Sequence, residues 1–519
     1  MMDESKPLSP PVYFETLDAP RSVPRGSRAA WLFLALGYFF CCAFPMSKRP
    51  LLAVFFLISL YALSYVFLLR GNAHLGLVQK LVLLSAALAL LPPLLWADTG
   101  NAFLCILYAL TAYCYLLYAS TGNCLEEGMS AFVGTDLFRA LVVFPLSSFG
   151  KLFPSLAAHG KKGVGKLLLK ILLGLLLAVL PTAAALSLLS YDSGFRSIVD
   201  ELFRFSREDL FIQLARLLFT LPVAMYFFGL YASSVLRSAE RDGAAEKARE
   251  RAERRHFVPI VTAAAAVIPL LLVYIIFFVS QWAYYTSAFT GVLPAHLSYA
   301  EYAREGFFQL CAVSCINFIV VICLSCYVKR EGEGVRRTLC VILSVFTLVL
   351  IATAVSKLLL YIHRYGLTPD RVYAAWFMLL LAILFMIVLL SQFIPRLKAL
   401  PLCLAVTVAL YLLLALSGPN RLIARYNVDR FLSGQTQEID VYLLSSLGDD
   451  AIPEMLRLER SWKENAAPRD GLMRKALHSA LESRAAWETD FWRETLSTRR
   501  ADRLLEEAGY TGSESYSRQ

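Results

Sequence analysis

Two cations stand inside otherwise apolar stretches, Arg216 in Gln213-Leu-Ala-Arg-Leu-Leu218 and Lys357 in Ala354-Val-Ser-Lys-Leu-Leu-Leu-Tyr361. A basic side chain at the centre of a membrane helix costs about 2.5–3.5 kcal/mol on insertion scales, so such residues face a partner, a wet cavity or an anionic ligand. Each lies within about two turns of an expected helix end, and a long side chain could instead snorkel to the interface. Both readings stay open from sequence. If both cations point inward, the scarcity of carboxylates in the surrounding runs favours a phosphate, a carboxylate or a lipid headgroup as their counter-charge.

The loop Tyr284-Tyr-Thr-Ser-Ala-Phe-Thr-Gly291 and the following Ser298-Tyr-Ala-Glu-Tyr-Ala-Arg-Glu-Gly-Phe-Phe308 gather aromatics and charges in a site-like way. Ser298 and Glu301 also form a capping box, with Arg304 placed to pair with Glu301 one turn on. In Arg364-Tyr-Gly-Leu-Thr-Pro-Asp-Arg371, Thr368 is expected to cap a helix, Pro369 to take its first position and Asp370 to complement its dipole. Arg364 and Arg371 would then join Arg304 in a basic outer rim that attracts an anion. The candidate ligand-binding residues are therefore Arg216, Lys357, Glu301, Arg304, Arg364 and Arg371.

Reaction signatures are lacking. The sequence holds no His-Glu-x-x-His zinc helix, phosphate-binding Gly-rich loop, Gly-x-Ser-x-Gly elbow or EF-hand spacing, and its six histidines are dispersed. A lipid-linked glycosyltransferase would want paired acids at the first outer loop, where Trp96-Ala-Asp-Thr-Gly100 offers Asp98 alone. Asp449-Asp450 could bind a cation, but helix capping is the simpler expectation. Cys323-Leu-Ser-Cys326 falls inside a helical run rather than beside a zinc loop. No metal, cofactor or catalytic residue is expected.

The elements that carry these residues follow from composition. Of 519 residues, 58% are hydrophobic and 17% charged, against roughly half and a quarter in a globular protein. Eleven apolar runs are long enough to cross a ~30 Å hydrocarbon core: 29–46, 50–69, 76–96, 101–119, 164–190, 209–237, 258–284, 306–328, 338–362, 372–394 and 399–416. The fold class is all-α, a polytopic transmembrane bundle of about eleven spans with a small helical C-terminal domain. Run 76–96 carries Lys80 and Pro92-Pro93, so a kinked or re-entrant path is open to it. Ala131–Pro145 and Ile198–Ser206 read as helices lying in the membrane interface.

The chain divides into a polar N-terminal tail (1–28), four spans plus the inner interfacial segment (29–163), seven spans (164–416) and a helical tail (417–519). The polar leader and the absence of a cleavage pattern after the first run argue for a retained span rather than a signal peptide. The basic loops Arg241–Arg255 and Lys329–Arg337 fall on one side, which the positive-inside rule makes cytoplasmic. The N-terminus is then cytoplasmic and the C-terminus extracytoplasmic, in a cell (inner) membrane. The tail carries 15 of the 50 Lys/Arg and 17 of the 40 Asp/Glu, so it is about −2 and the membrane part +12, and the positive excess lies beside the membrane. Basic residues there suit anionic lipids, and nucleic acid is not an expected partner. Trp462, Trp487, Phe491 and Trp492 are expected to form the tail's core or to cap the membrane.

The blocks Tyr299–Phe308, Tyr365–Arg371, Asn420–Arg430 and Ile439–Leu443 leading to Asp450-Ala-Ile-Pro453 resemble the bacterial domain-of-unknown-function family 4173, close to 4153, over roughly residues 190–455. The resemblance implies a multi-span bacterial inner-membrane protein and carries no activity or site residues. Three functions remain in view. The first is binding or transport of a small anionic or lipid-like solute through the seven-span bundle. The second is a regulator or assembly factor whose tail docks a protein partner. The third is an enzyme acting on a lipid-linked substrate.

Overall fold

The computed structural model describes residues 26–43, 49–68, 75–126, 132–157, 207–236, 256–280, 307–329, 332–394, 396–464, 471–487 and 490–510, with isolated positions between 170 and 191 and at 246 and 250. Regular structure among them is helical, apart from one bridge between Val258 and Val328. Among the described residues, eight helices are long and apolar enough to cross a membrane, or nine if one bent pair counts as a span. Most of the expected run 164–190 lies outside the described residues, as do all of Ile198–Ser206 and nearly all of the basic loop Arg241–Arg255.

The first group comprises α1 (Gly26–Ala43), α2 (Pro50–Leu68), α3 (Leu77–Ala89), the short α4 (Pro92–Leu95) and α5 (Thr99–Ser120). Pro92 and Pro93 have no amide hydrogen to donate, and the helix over 77–95 breaks where they stand, with Leu90 and Leu91 bonding back three residues to Ala87 and Leu88. The run nevertheless remains one stretch long enough to span, Leu77–Leu95. After it come α6 (Val133–Phe138), a π-turn over Arg139–Val143, α7 (Phe144–Ser147) and α8 (Leu152–Ala157), and then α9 (Arg207–Leu236).

Ala131–Pro145, expected to lie along the interface, continues to Ala157 and bends by 48°. It packs inward, burying Ala140, Phe144, Leu152 and Leu156 completely. Its buried Asp136 is satisfied within the bundle by the Tyr118 hydroxyl at 2.9 Å and the Leu125 N–H at 3.2 Å, so the polar residue does not force this segment to the surface. Close approach to α9 depends on Gly229, where a side chain would collide with the Pro145 carbonyl. Rings of Phe33, Phe56, Tyr113, Tyr118, Phe144 and Phe228 fill the core of this bundle.

The second group comprises α10 (Ile260–Ser280), α11 (Phe307–Tyr327), α12 (Glu333–Tyr365), α13 (Pro369–Phe393) and α14 (Ala399–Ser417). Its core is mainly aliphatic and carries a polar chain, in which Tyr274 donates to Asn317 at 2.7 Å and Asn317 to Thr347 at 2.9 Å. Hydrogen bonds of this kind between membrane helices contribute about 0.6–2 kcal/mol each. Outward-facing positions are as apolar as inward ones: Val261, Ile276 and Val279 are each more than two-thirds exposed. A soluble protein does not surround itself in this way, whereas a membrane bundle does.

The tail folds as α15 (Pro419–Leu432), α16 (Val441–Ser446), a 3-10 turn (Gly448–Ala451), α17 (Ile452–Glu464), α18 (Gly471–Ala485), a 3-10 turn (Phe491–Arg493) and α19 (Leu496–Glu507). Its separate core contains Leu444, Leu458, Trp462, Leu477 and Leu505. Beside this core, Glu459 accepts from Tyr510 at 2.7 Å and pairs with Lys463 at 3.1 Å. Burial works to raise the Glu459 carboxyl, but these two partners and His478 together hold it below the usual glutamate range.

Candidate functional site

The sequence-nominated residues are dispersed. Arg216 is half-buried on α9, beside Tyr38 and Cys41 of α1 in the first bundle. Lys357 is 7% exposed on α12 in the second, so its side chain is enclosed by protein rather than laid along the lipid-facing surface. The two belong to different helix groups with separate cores. Arg364 is exposed at the end of α12. Arg371 turns back onto the carbonyls of Tyr365 and Gly366, with its guanidinium 4.2 Å from the centre of the Tyr361 ring. It thus satisfies carbonyls at the end of α12. Glu301 and Arg304 lie outside the described residues. Thr368 takes the N-cap position of α13, followed by Pro369 and Asp370, but its hydroxyl makes no capping bond.

What the fold does bring together is a buried polar joint between the ends of the spans and the tail. Asp98 caps α5 through the N–H groups of Gly100 and Asn101 at 3.0 and 3.1 Å. Its other oxygen accepts from the Asn101 side chain at 2.8 Å and from the Tyr373 hydroxyl of α13 at 3.3 Å. Trp96 donates to the Leu416 carbonyl of α14 at 3.2 Å. The Trp96 ring covers Gly418, whose φ of +65° and ring contact at 2.7 Å from any Cβ exclude a side chain.

From the tail side, Asp450 accepts the Ala97 N–H at 3.1 Å. Helix capping, the simpler expectation for Asp449-Asp450, does not describe the pair: Asp449 is bound to Arg484, which also reaches Asp502 at 2.8 Å. Burial pushes the Asp450 carboxyl up to about 6, against the pull of the Ser497 hydroxyl and the Ala97 N–H and with the help of the Asp98 and Asp449 charges. A second clasp completes the joint. Asn427 exchanges two hydrogen bonds with the backbone of Leu367, at 2.9 and 2.7 Å, and buried Arg430 donates at the end of α12 to the His363 carbonyl and to the Ile362 carbonyl, which also accepts the Gly366 N–H at 2.8 Å. The tail is therefore fixed to the bundle rather than tethered to it. Asp98 and Asp450 are 352 positions apart and share no motif, and only the polar run Asn420–Arg430 directly after a span hinted at such a seam.

A cavity of about 480 Å³ lies between α2, α3 and α5. Ile58, Tyr61, Leu83, Ala87, Leu116 and Leu117 are among its lining residues. Three of its hydroxyl-bearing side chains are engaged within the bundle, Ser64 with Tyr113 at 2.7 Å, Tyr61 with the Ala109 carbonyl at 2.8 Å and Ser120 with the Leu117 carbonyl at 3.3 Å, while Tyr65 stands at the exposed edge. The walls therefore present carbon, and the volume is that of a small-molecule pocket. Lys80 stands exposed on α3, one turn before Leu83. Among the described residues no group of His, Cys, Asp and Glu has the arrangement of a metal site.

The family model described as "Domain of unknown function (DUF4153)" matches residues 57–458 of the chain. The chain belongs to the DUF4153 family. This is the neighbour of the family that the sequence blocks resemble, and the match extends that resemblance towards the N-terminus to take in most of α2 and all of α3–α5. No curated protein and no solved structure matches the chain. Within the DUF4153 segment fall the groove and both halves of the polar joint, from Trp96 to Asp450. Outside it lie α1 and the end of the tail, including α18 and α19.

Proposed function

We propose that this multi-pass membrane protein binds a lipid-like amphiphile, with the hydrocarbon chain in the groove between α2, α3 and α5 and an anionic headgroup held by Lys80. The observation that carries the reading is the largely carbon lining of a pocket whose inner hydroxyls are bonded within the bundle, leaving only Tyr65 at its exposed edge. Such a surface has nothing to offer a free polar solute and much to offer an acyl or isoprenoid chain. Tyr65 and Leu83 of its lining are exposed on the outward surface of the bundle, so a ligand can enter laterally from the bilayer. The reading keeps the lipid-like solute of the sequence analysis and moves its site from the seven-span bundle to spans two to four. It retains the positive-inside orientation, with the N-terminus cytoplasmic and the tail extracytoplasmic. It assigns no reaction.

Native mass spectrometry of the protein extracted from its membrane tests this. The wild type should retain one lipid class well above its share in the bulk membrane. Ala87→Trp, which fills the groove from an exposed position, should lower that retention by about tenfold, equivalent to about 1.4 kcal/mol. Leu84→Trp, exposed on α3 outside the groove, should leave it unchanged, and Lys80→Gln should erase a preference for anionic lipid. Retention that mirrors the bulk membrane, or survives Ala87→Trp, would overturn the proposal.

A further inference from the structure

The connection between α18 and α19 exposes Trp487 at 73%, Phe491 at 56% and Leu496 at 59%, with Trp492 at 36%. Tyr442 and Leu472 of the tail are also exposed, at 80% each, but as single side chains apart from this cluster in sequence, while the remaining tryptophan, Trp462, is 5% exposed in the core. Phe491 and Trp492 stack edge to face at 5.2 Å, a preformed pair rather than two loose side chains. Their position decides what covers them. The turn Phe491–Arg493 packs against α2 and α19 packs against α4, both in the membrane-spanning part of the chain. Those elements present apolar side chains outward, with Phe55 of α2 at 53% and Leu91 beside α4 at 40% exposed. The aromatic patch thus continues a surface that already meets lipid.

We infer that Trp487, Phe491, Trp492 and Leu496 insert into the headgroup region of the bilayer and seat the tail on the membrane surface. Tryptophan suits this depth because its ring is apolar and its N–H needs a polar partner, which headgroups provide. Arg493 is exposed within the same turn, and Arg500 and Arg503 are exposed on α19, where Thr498, Ala501 and Leu505 form the face turned to the tail core. These cations lie where lipid phosphates would meet them. The surface lies outside the DUF4153 segment and is independent of the groove.

The test compares the full chain with its Trp487→Phe/Trp492→Phe variant, in nanodiscs that hold one copy each. The difference between their emission spectra isolates the two indoles from the other five tryptophans. We expect a blue-shifted difference spectrum that lipids brominated near the headgroup quench more strongly than lipids brominated near the chain terminus. Exchange of phosphatidylcholine for phosphatidylglycerol should leave the shift in place, and Arg493→Gln should weaken the shallow quenching. A red-shifted spectrum that neither lipid quenches would overturn the inference. So would quenching that develops only when two copies share a disc, since the patch would then meet a second copy of this chain.

Discussion

Asp450→Asn is the substitution that most directly probes how the tail is held. In the folded chain this carboxyl titrates near 6, against 3.8 for a free aspartate side chain. Below pH 3.8 both states hold the proton and burial costs nothing. From there to about pH 6 the unfolded or undocked chain releases its proton while the docked chain retains it, so the joint weakens steadily. Above about pH 6 the full cost is present, roughly 3 kcal/mol at 1.36 kcal/mol per pH unit. Asparagine keeps an acceptor for the Ala97 N–H and removes the buried charge. At pH 8 it should strengthen docking by about 1–3 kcal/mol, and at pH 4 it should change little. Hydrogen exchange of α15 and α17 in nanodiscs reads this directly, as slower opening of peptides that exchange through tail release. Asp449→Asn should act oppositely, because it breaks the pairing with Arg484. Equal protection of the wild type at pH 4 and pH 8, or faster exchange of the Asp450→Asn variant at pH 8, would refute the reasoning.

Arg430→Ala leaves the buried end of α12 without its guanidinium: the His363 carbonyl loses its donor and the Ile362 carbonyl keeps only the Gly366 N–H. It should cost the tail about 2–3 kcal/mol, seen as earlier melting and faster tryptic cleavage of the tail. Arg430→Lys should recover only part of this, because one ammonium does not reproduce the forked geometry. Arg216→Ala and Lys357→Ala should behave independently in thermal unfolding, with a coupling energy below about 0.5 kcal/mol, as expected for residues in separately packed helix groups. A larger coupling would mean that the two cations share one anion.

The fold class was legible because hydropathy acts locally. A run of about twenty apolar residues must satisfy its own backbone hydrogen bonds in lipid, and only a helix does so within one segment. Proline likewise marked the break at Pro92 from sequence alone, since the missing donor belongs to the residue itself. The charged, Trp-bearing segments after residue 416 announced a helical tail by their periodicity. Charge in a span, by contrast, is a poor guide to a site, because its meaning depends on what surrounds it. Lys357 proved enclosed, Arg216 half-buried in another helix group, and Arg371 occupied with carbonyls at a helix end.

The joint and the groove were invisible for the same physical reason. Ala97 and Asp450 meet across 353 positions, and Trp96 reaches Leu416 across 320. No periodicity records such encounters, and a carboxylate reads as a helix cap until a distant N–H is shown to face it. The groove is lined by ordinary span residues whose types match those on every other lipid-facing surface. Sequence therefore determined that this chain crosses a membrane as helices and ends in a helical tail. Tertiary packing alone decided which cations are enclosed, where carbon encloses an open volume, and that the tail is clamped to the spans by one buried acid and one buried guanidinium.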